Sequence, residues 1–362
     1  MRCPAPLRTL ALRDLHSRSG NPKWGHETPW RIQKSFRMSS SSEVQTFIDG
    51  PVPVELRPAI DEYCRWERAH VDSEQSRAQV SVPLYHYTGL NALRGIIETE
   101  SIWCTDYRHM NDQSELSYGV EVAKDALARL AIQADARVCL FCQCVDGLLD
   151  ITHFNGNLDF YTASFTAQRD DPDQWERYGD KGRGVAIGLS PSMFGIIDAA
   201  GLQPHEMSFV GPVLYDRAAI FARHDAAIRA AATIFKAAAD RHPNIMAHKA
   251  NGLPFMDRLA KELIASPLIW NCITSKEHAL WATEREIRLI VMGQTKNLAP
   301  YVQYRQRAAE RIPYIAHPFW VRAPDALHEI VIGPEAGDEA EAEVAQMLCD
   351  FGVGGVRVAR SK

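Results

Sequence analysis

The chain has 362 residues, 46% hydrophobic and 23% charged, with a formal net charge of −5, the composition of a globular protein long enough for one large domain or two ordinary ones. No apolar run approaches the roughly 20 residues of a membrane span, and the start lacks the continuous apolar core of a secretory signal, so no membrane partner is expected. Eight scattered cysteines suggest reduced thiols and a cytoplasmic setting.

The first 40 residues carry eight Lys/Arg against two acids, Asp14 and Glu27, without a hydrophobic period. Residues 1–44 are expected to form a disordered basic tail. It is either a transit peptide or, with "SSSSE" following Met38, an over-extended gene start, and the second reading is preferred. Without the first 40 residues 32 Lys/Arg face 43 Asp/Glu, so the folded part has no global basic footprint for nucleic acid, although a local basic groove stays open.

Residues 45–362 read as a single α+β domain, with a helical insertion or lid at about 215–280. Val54 to Val71 has apolar residues at helical spacing. "VPLYHYT" is a strand, "GLNALRGIIETE" an amphipathic helix and "SIWCTD" a second strand, followed by a long helix from Leu116 to Ala134. The run "VCLFCQCV" reads as a buried apolar strand; zinc, with His153 nearby, is the weaker reading because no second cysteine pair accompanies it. Leu158 to Thr166 alternates like a half-buried strand. A polar bend, "AQRDDPDQWERYGDKGRG", leads to the buried strand "GVAIGLS". Arg217–Arg241 and Phe255–Leu280 are helical, "EIRLIVMG" is a strand, and the C-terminal stretch from "HEIVIG" reads as strand, capped helix and strand. The chain carries no GxGxxG, no P-loop and no HExxH.

Several polar residues fall where strands meet loops. His86 and Thr88 share one face of their strand, opposite Tyr85 and Tyr87; the histidine is either a satisfied core residue or a ligand contact. Asn111, Asp112, Ser114 and Glu115 precede a helix, where capping explains one or two of them. Trp175 and Tyr178 stand in a hydrophilic loop, where they either pin it to the core or stack on a flat ring. Glu284, Glu286 and Arg288 alternate at the entry of a strand, as a surface ion-pair ladder or as the carboxylates of a sheet-based site.

The blocks "LYHYTGLNALRGIIETESIWCTDYRHMNDQSEL", "ASFT…QWERYGDKGRGVAIGLS", "EREIRLIVMG" and "HEIVIGP", in this order from about Pro83 to the C-terminus, resemble the bacterial family catalogued as domain of unknown function 2971. Two departures are Ile287, where the family usually has Trp, and the alanine-rich segment 217–241, which lies outside the common pattern. That family is in turn similar to the ADP-ribosyltransferase superfamily, including toxins that modify nucleic acid. The resemblance implies a split mixed/antiparallel β-sheet with surrounding helices, and NAD bound as substrate in the cleft. It also implies transfer to a macromolecular acceptor (RNA, DNA or protein) by a toxin or phage-defence effector that could have an antitoxin. Carried over by position, Glu286 and His86 are the expected catalytic residues, Glu284 competing with Glu286. His86 and Thr88 would hold a ribose, Ser164 with neighbouring Tyr161 would form a middle motif, and Trp175, Tyr178, Tyr85 or Tyr87 would stack on nicotinamide. Asn111 would contact the cofactor and Arg288 would neutralise pyrophosphate or pair with Glu286. A nucleotide sensor without transfer activity and an NAD glycohydrolase are the alternatives.

Overall fold

The computed structural model describes residues 50–77, 79–110, 115–149, 158–194, 208–277, 281–307, 309–319 and 325–362. The basic tail 1–44, Asn111, Asp112, Ser114 and His153 lie outside the described residues.

Among the described residues, ten strands form two sheets. The smaller has the order β1 (Leu84–Thr88), β4 (Val185–Leu189), β9 (Leu327–Ile332), β10 (Arg357–Arg360). It is mixed, because β9 and β10 run parallel across the connecting helix Ala340–Asp350. The larger has the order β5 (Phe209–Pro212), β6 (Ile287–Gln294), β3 (Leu158–Phe165), β2 (Ser101–Asp106), β8 (Glu310–Pro318), β7 (Val302–Arg307), and every pair in it is antiparallel. The protein is therefore α+β. One bridge ties the sheets together: just past the end of β3, Thr166 N donates to the Tyr85 carbonyl (3.0 Å) and Tyr85 N to the Thr166 carbonyl (2.8 Å).

Strand alternation sends the two faces of β3 and β6 into different cores. Tyr161, Ala163, Phe165, Leu289 and Val291 join the inward residues of the small sheet, such as Val185, Ile187 and Ile330, in one apolar cluster. Leu158, Phe160, Ile290 and Met292 instead meet the helices Arg57–Arg77, Glu115–Gln133, Ala136–Leu148, Arg217–Arg241 and Lys249–Leu263. The segment expected as an insertion or lid thus lies in a helical layer against the sheet. Arg217–Arg241 starts at Asp216, whose carboxylate accepts from Ala218 N and Ala219 N, and it buries an alanine-rich face including Ala227, Ala231 and Ala238. With both faces covered at β3 and β6, β3 is buried almost throughout rather than half-buried.

Three expectations are corrected. The cysteine run is helical: Asp135 caps Ala136–Leu148 by accepting from Arg137 N and Val138 N, both at 3.0 Å. Val138, Phe141, Cys142, Val145 and Leu148 then fall at helical spacing on the buried side. The polar bend contains a short helix, Pro172–Arg177, capped by Asp171 with Pro172 in its first turn. Finally, the helical stretch expected to run to Leu280 is interrupted around Ser266–Pro267, a cis peptide, and resumes over Ile269–Ile273, with residues 278–280 outside the described residues. Among the described residues, no helix is long and apolar enough to cross a membrane, and no cluster of three or more His, Cys, Asp or Glu could hold a metal ion.

Candidate functional site

A cavity of about 440 Å³ opens where the two sheets diverge, bordered by β1, β2, β3, β7, the Pro172–Arg177 helix and the segments around Lys276 and Glu284. Its size is that of a small-molecule site. His86, Ser164 and Glu286 all line it. His86 Nδ1 lies 2.9 Å from the Ser164 carbonyl oxygen. Since a carbonyl only accepts, Nδ1 carries the proton and Nε2 is left as an acceptor. Burial holds the imidazole below its ordinary value, the bond to Ser164 opposing and the charge of Arg305 adding to it. The ring packs against Phe165, so His86 is both satisfied by the protein and exposed to the cavity.

Ser164 is the joint of the site. Its carbonyl takes His86, and its hydroxyl donates to Glu286 Oε1 at 2.5 Å. The Thr166–Tyr85 bridge sets this arrangement by pinning the end of β3 beside β1.

Glu286 is 4% exposed. Arg288 donates to it through Nε at 2.8 Å and Nη2 at 2.9 Å, and Lys276 Nζ lies 2.6 Å from Oε2. Burial alone would raise its carboxyl; the charges and hydrogen bonds of Arg288 and Lys276 outweigh burial and hold it well below the usual carboxylate range. Lys276 also donates to Glu284 Oε2 at 2.8 Å. Glu284 further receives the Tyr178 hydroxyl and an ion pair from Arg177 at 3.7 Å. Burial, then the bond to Glu284, push the Tyr178 phenol above its ordinary value. Between the two glutamates Arg285 adopts a left-handed conformation, φ 44°, a conformation that costs about 1–2 kcal/mol outside glycine.

The surface ladder is thus replaced by a buried network: two carboxylates, a lysine between them and an arginine behind. Lys276, which nothing in the sequence singled out, is carried in by backbone pairing with the distant segment around Leu214. Leu214 N donates to the Thr274 carbonyl and Lys276 N to the Leu214 carbonyl, while Val213 N donates to the Glu286 carbonyl. The chain leaving β5 is thereby laid between the backbones of the Thr274–Lys276 segment and Glu286.

The remaining expected residues divide. Thr88 and Tyr178 line the cavity. Tyr85 and Tyr87 border it, but their side chains pack on the other face of β1 with Trp175. There the Tyr85 hydroxyl donates to Glu329 (2.7 Å) and the Tyr87 hydroxyl to the Gln168 carbonyl (2.8 Å). Neither ring is a stacking platform. Trp175 is 3% exposed, makes an edge contact with Tyr87 and donates Nε1 to Asp170 (2.7 Å), so it pins the loop. Tyr161 points into the inter-sheet core by alternation with Ser164. Arg288, 1% exposed and bonded also to the Ile273 carbonyl, is sealed behind Glu286 and is no pyrophosphate contact. Cavity residues missed in the sequence include Trp103 and Thr105 of β2, Trp281, and Arg305 and Arg307 of β7.

Fold and cavity together define an α+β protein with a polar cavity of about 440 Å³ beside paired, charge-balanced carboxylates. Residues 174–289 match the family model described as a protein of unknown function, DUF2971. The match is narrower than the resemblance traced from Pro83, spans the Arg217–Arg241 helix, and contains Tyr178, Lys276, Glu284 and Glu286. No curated protein and no solved structure matches the chain.

Proposed function

We propose that the chain is an NAD-dependent ADP-ribosyltransferase acting on a macromolecular acceptor, with an ADP-ribosyltransferase-like split sheet and this cavity as its active site. The observation that carries the reading is the convergence of His86, Ser164 and Glu286 on one cavity, linked through Ser164, although 200 residues separate the first from the last. In the proposed reaction the bond between the ribose anomeric carbon and the nicotinamide nitrogen breaks, its electron pair leaving with nicotinamide. A lone pair of the acceptor then forms the new bond to that carbon and the acceptor's proton is released. Positive charge develops on the ribose, and a fixed carboxylate stabilises it. Glu286 has the required ionisation at neutral pH. Its depressed pKa makes it a weak base, so stabilising and orienting are the roles its surroundings favour. His86, neutral with Nε2 free to accept, suits a ribose hydroxyl, with Thr88 beside it.

One observation favours a second reading, a nucleotide sensor without transfer. Glu286 is bonded by Ser164, Arg288 and Lys276 at once, which offsets the charge it can present. Labelled NAD with cell extract separates the two. The wild type should release nicotinamide and label a macromolecule, RNA, DNA or protein, while Glu286→Gln and His86→Ala should not. Free ADP-ribose without a labelled acceptor would mean a glycohydrolase, and NAD binding without nicotinamide release would leave the sensor.

A further inference from the structure

The cavity has a basic wall that this chemistry leaves unassigned. On β7, Arg305 and Arg307 stand two residues apart and therefore on one face of the strand. The Arg305 guanidinium lies over the Trp103 indole, 5.7 Å from the ring centroid, and Trp103 in turn stacks on Tyr314 at 4.8 Å. Its Nη2 donates to Thr105 Oγ1 at 2.9 Å, while its Nε is buried with no acceptor among the described residues. Arg307 is exposed and donates to the His109 carbonyl at 3.2 Å. Among the described residues neither arginine has a carboxylate partner, whereas the other cations of the cavity, Lys276 and Arg177, both pair with Glu284.

A half-buried guanidinium without a counterion, fixed on an indole and beside a second one, is costly to hold. Burial, and then the charge of Arg307, lower the Arg305 pKa. An anion would relieve this strain between charges, and a planar fork held in place is built for paired phosphate oxygens. His86 feels the charge of Arg305, so the hydroxyl-accepting Nε2 and the two arginines belong to one neighbourhood. A sugar hydroxyl next to two phosphates is the pattern of a nucleoside diphosphate. We propose that Arg305 and Arg307 anchor the diphosphate of a nucleotide bound in this cavity, the place once open to Arg288. The anchor rests on the nucleotide reading above and specifies which part of the ligand is held, and by what.

Calorimetric titration with ADP and with adenosine tests it on the full chain, using Arg305→Met, Arg305→Lys and Arg307→Met. Methionine keeps the apolar stem over Trp103, and Arg307 is exposed enough for its variant to fold. Each methionine variant should lower ADP affinity by about 10-fold or more and leave adenosine unchanged, as expected for lost charge-assisted bonds. Arg305→Lys should recover part of the loss, because lysine lacks the fork. Equal wild-type affinity for ADP and adenosine, or variants that bind ADP like the wild type, would overturn the anchor. So would a loss confined to a single-stranded oligonucleotide, which would assign the wall to an acceptor's backbone. Nicotinamide release by a wild type whose ADP affinity is untouched by Arg305→Met leaves the transferase standing and removes the anchor. ADP anchoring without nicotinamide release does the reverse.

Discussion

Lys276→Met is the substitution that most directly probes the buried network. The ammonium is 4% exposed, 2.8 Å from Glu284 and 2.6 Å from Glu286, and methionine preserves the stem while deleting the charge. Removing one partner of a buried ion pair costs about 3–5 kcal/mol. Glu286 keeps Arg288 and Ser164, so the lower end applies, about 3 kcal/mol, against a typical total of about 5–15 kcal/mol. The pH dependence has a definite sign. The folded-state pKa of Glu286 is depressed, by Arg288 and Lys276 against burial. Its contribution is therefore present above the ordinary carboxylate range and lost as pH falls towards the folded value. Deleting Lys276 raises that folded value. The variant's deficit should be largest near pH 7 and shrink as pH falls through the variant's own folded value, below the ordinary carboxylate range, where a protonated carboxyl needs no counterion. Urea unfolding followed by tryptophan fluorescence measures both. Adding Glu284→Gln removes one of the two facing charges and should recover about 1 kcal/mol or more near pH 7. A deficit under about 1 kcal/mol, a deficit independent of pH, or no recovery in the double variant would refute the claim that Lys276 balances two carboxylates.

Three further outcomes follow from the packing. In Gly184→Ala the new Cβ would meet the Thr88 carbonyl oxygen and the backbone of Gly179; backbone cannot step aside as a side chain can, so thermal melting should show a loss of about 1–3 kcal/mol, and an unchanged melt would contradict this contact. Asp170 accepts from Trp175 Nε1 (2.7 Å), Ser361 Oγ (2.7 Å) and Lys362 N (2.8 Å). Asp170→Ala should therefore cost about 1–3 kcal/mol and raise amide exchange in β10 ahead of the other strands; β10 protection equal to wild type would argue against the tie. His224 is fully buried, its pKa pushed down to about 3 by burial and then by Arg223. The unfolded chain takes up that proton from the ordinary value near 6.5, so wild-type stability should fall between about pH 6.5 and 3. His224→Leu should flatten this limb of the urea curve; parallel curves would show that His224 contributes nothing to it.

The frame was legible wherever periodicity and burial agree. β1, β2, β4, β6, β9 and the helices Leu90–Thr99 and Arg217–Arg241 follow apolar spacing that the cores then use. β7 and β8 were not legible, because β7 is an exposed edge whose residues read as a charged loop and β8 carries Pro313 and Pro318. The cysteine run misled because a largely apolar stretch of eight residues fits a buried strand or a buried helix, and the deciding signal was the polar cap at Asp135.

The site divides along a different line. Alternation told which face Glu286 and Arg288 share, but face is not depth: whether such a row is a solvated ladder or a sealed network depends on what is laid over it. Here the cover is Lys276 and the chain around Leu214, brought in by pairing between segments some 60 residues apart in sequence. The same holds across the cavity. His86 and Glu286 are polar exceptions in apolar strands and could be picked out one at a time, yet their relation runs through Ser164, a residue with little sequence signal of its own. Its carbonyl fixes the tautomer of one and its hydroxyl occupies an oxygen of the other. A change at Ser164 therefore reaches both groups at once, whereas a change at either end reaches only one.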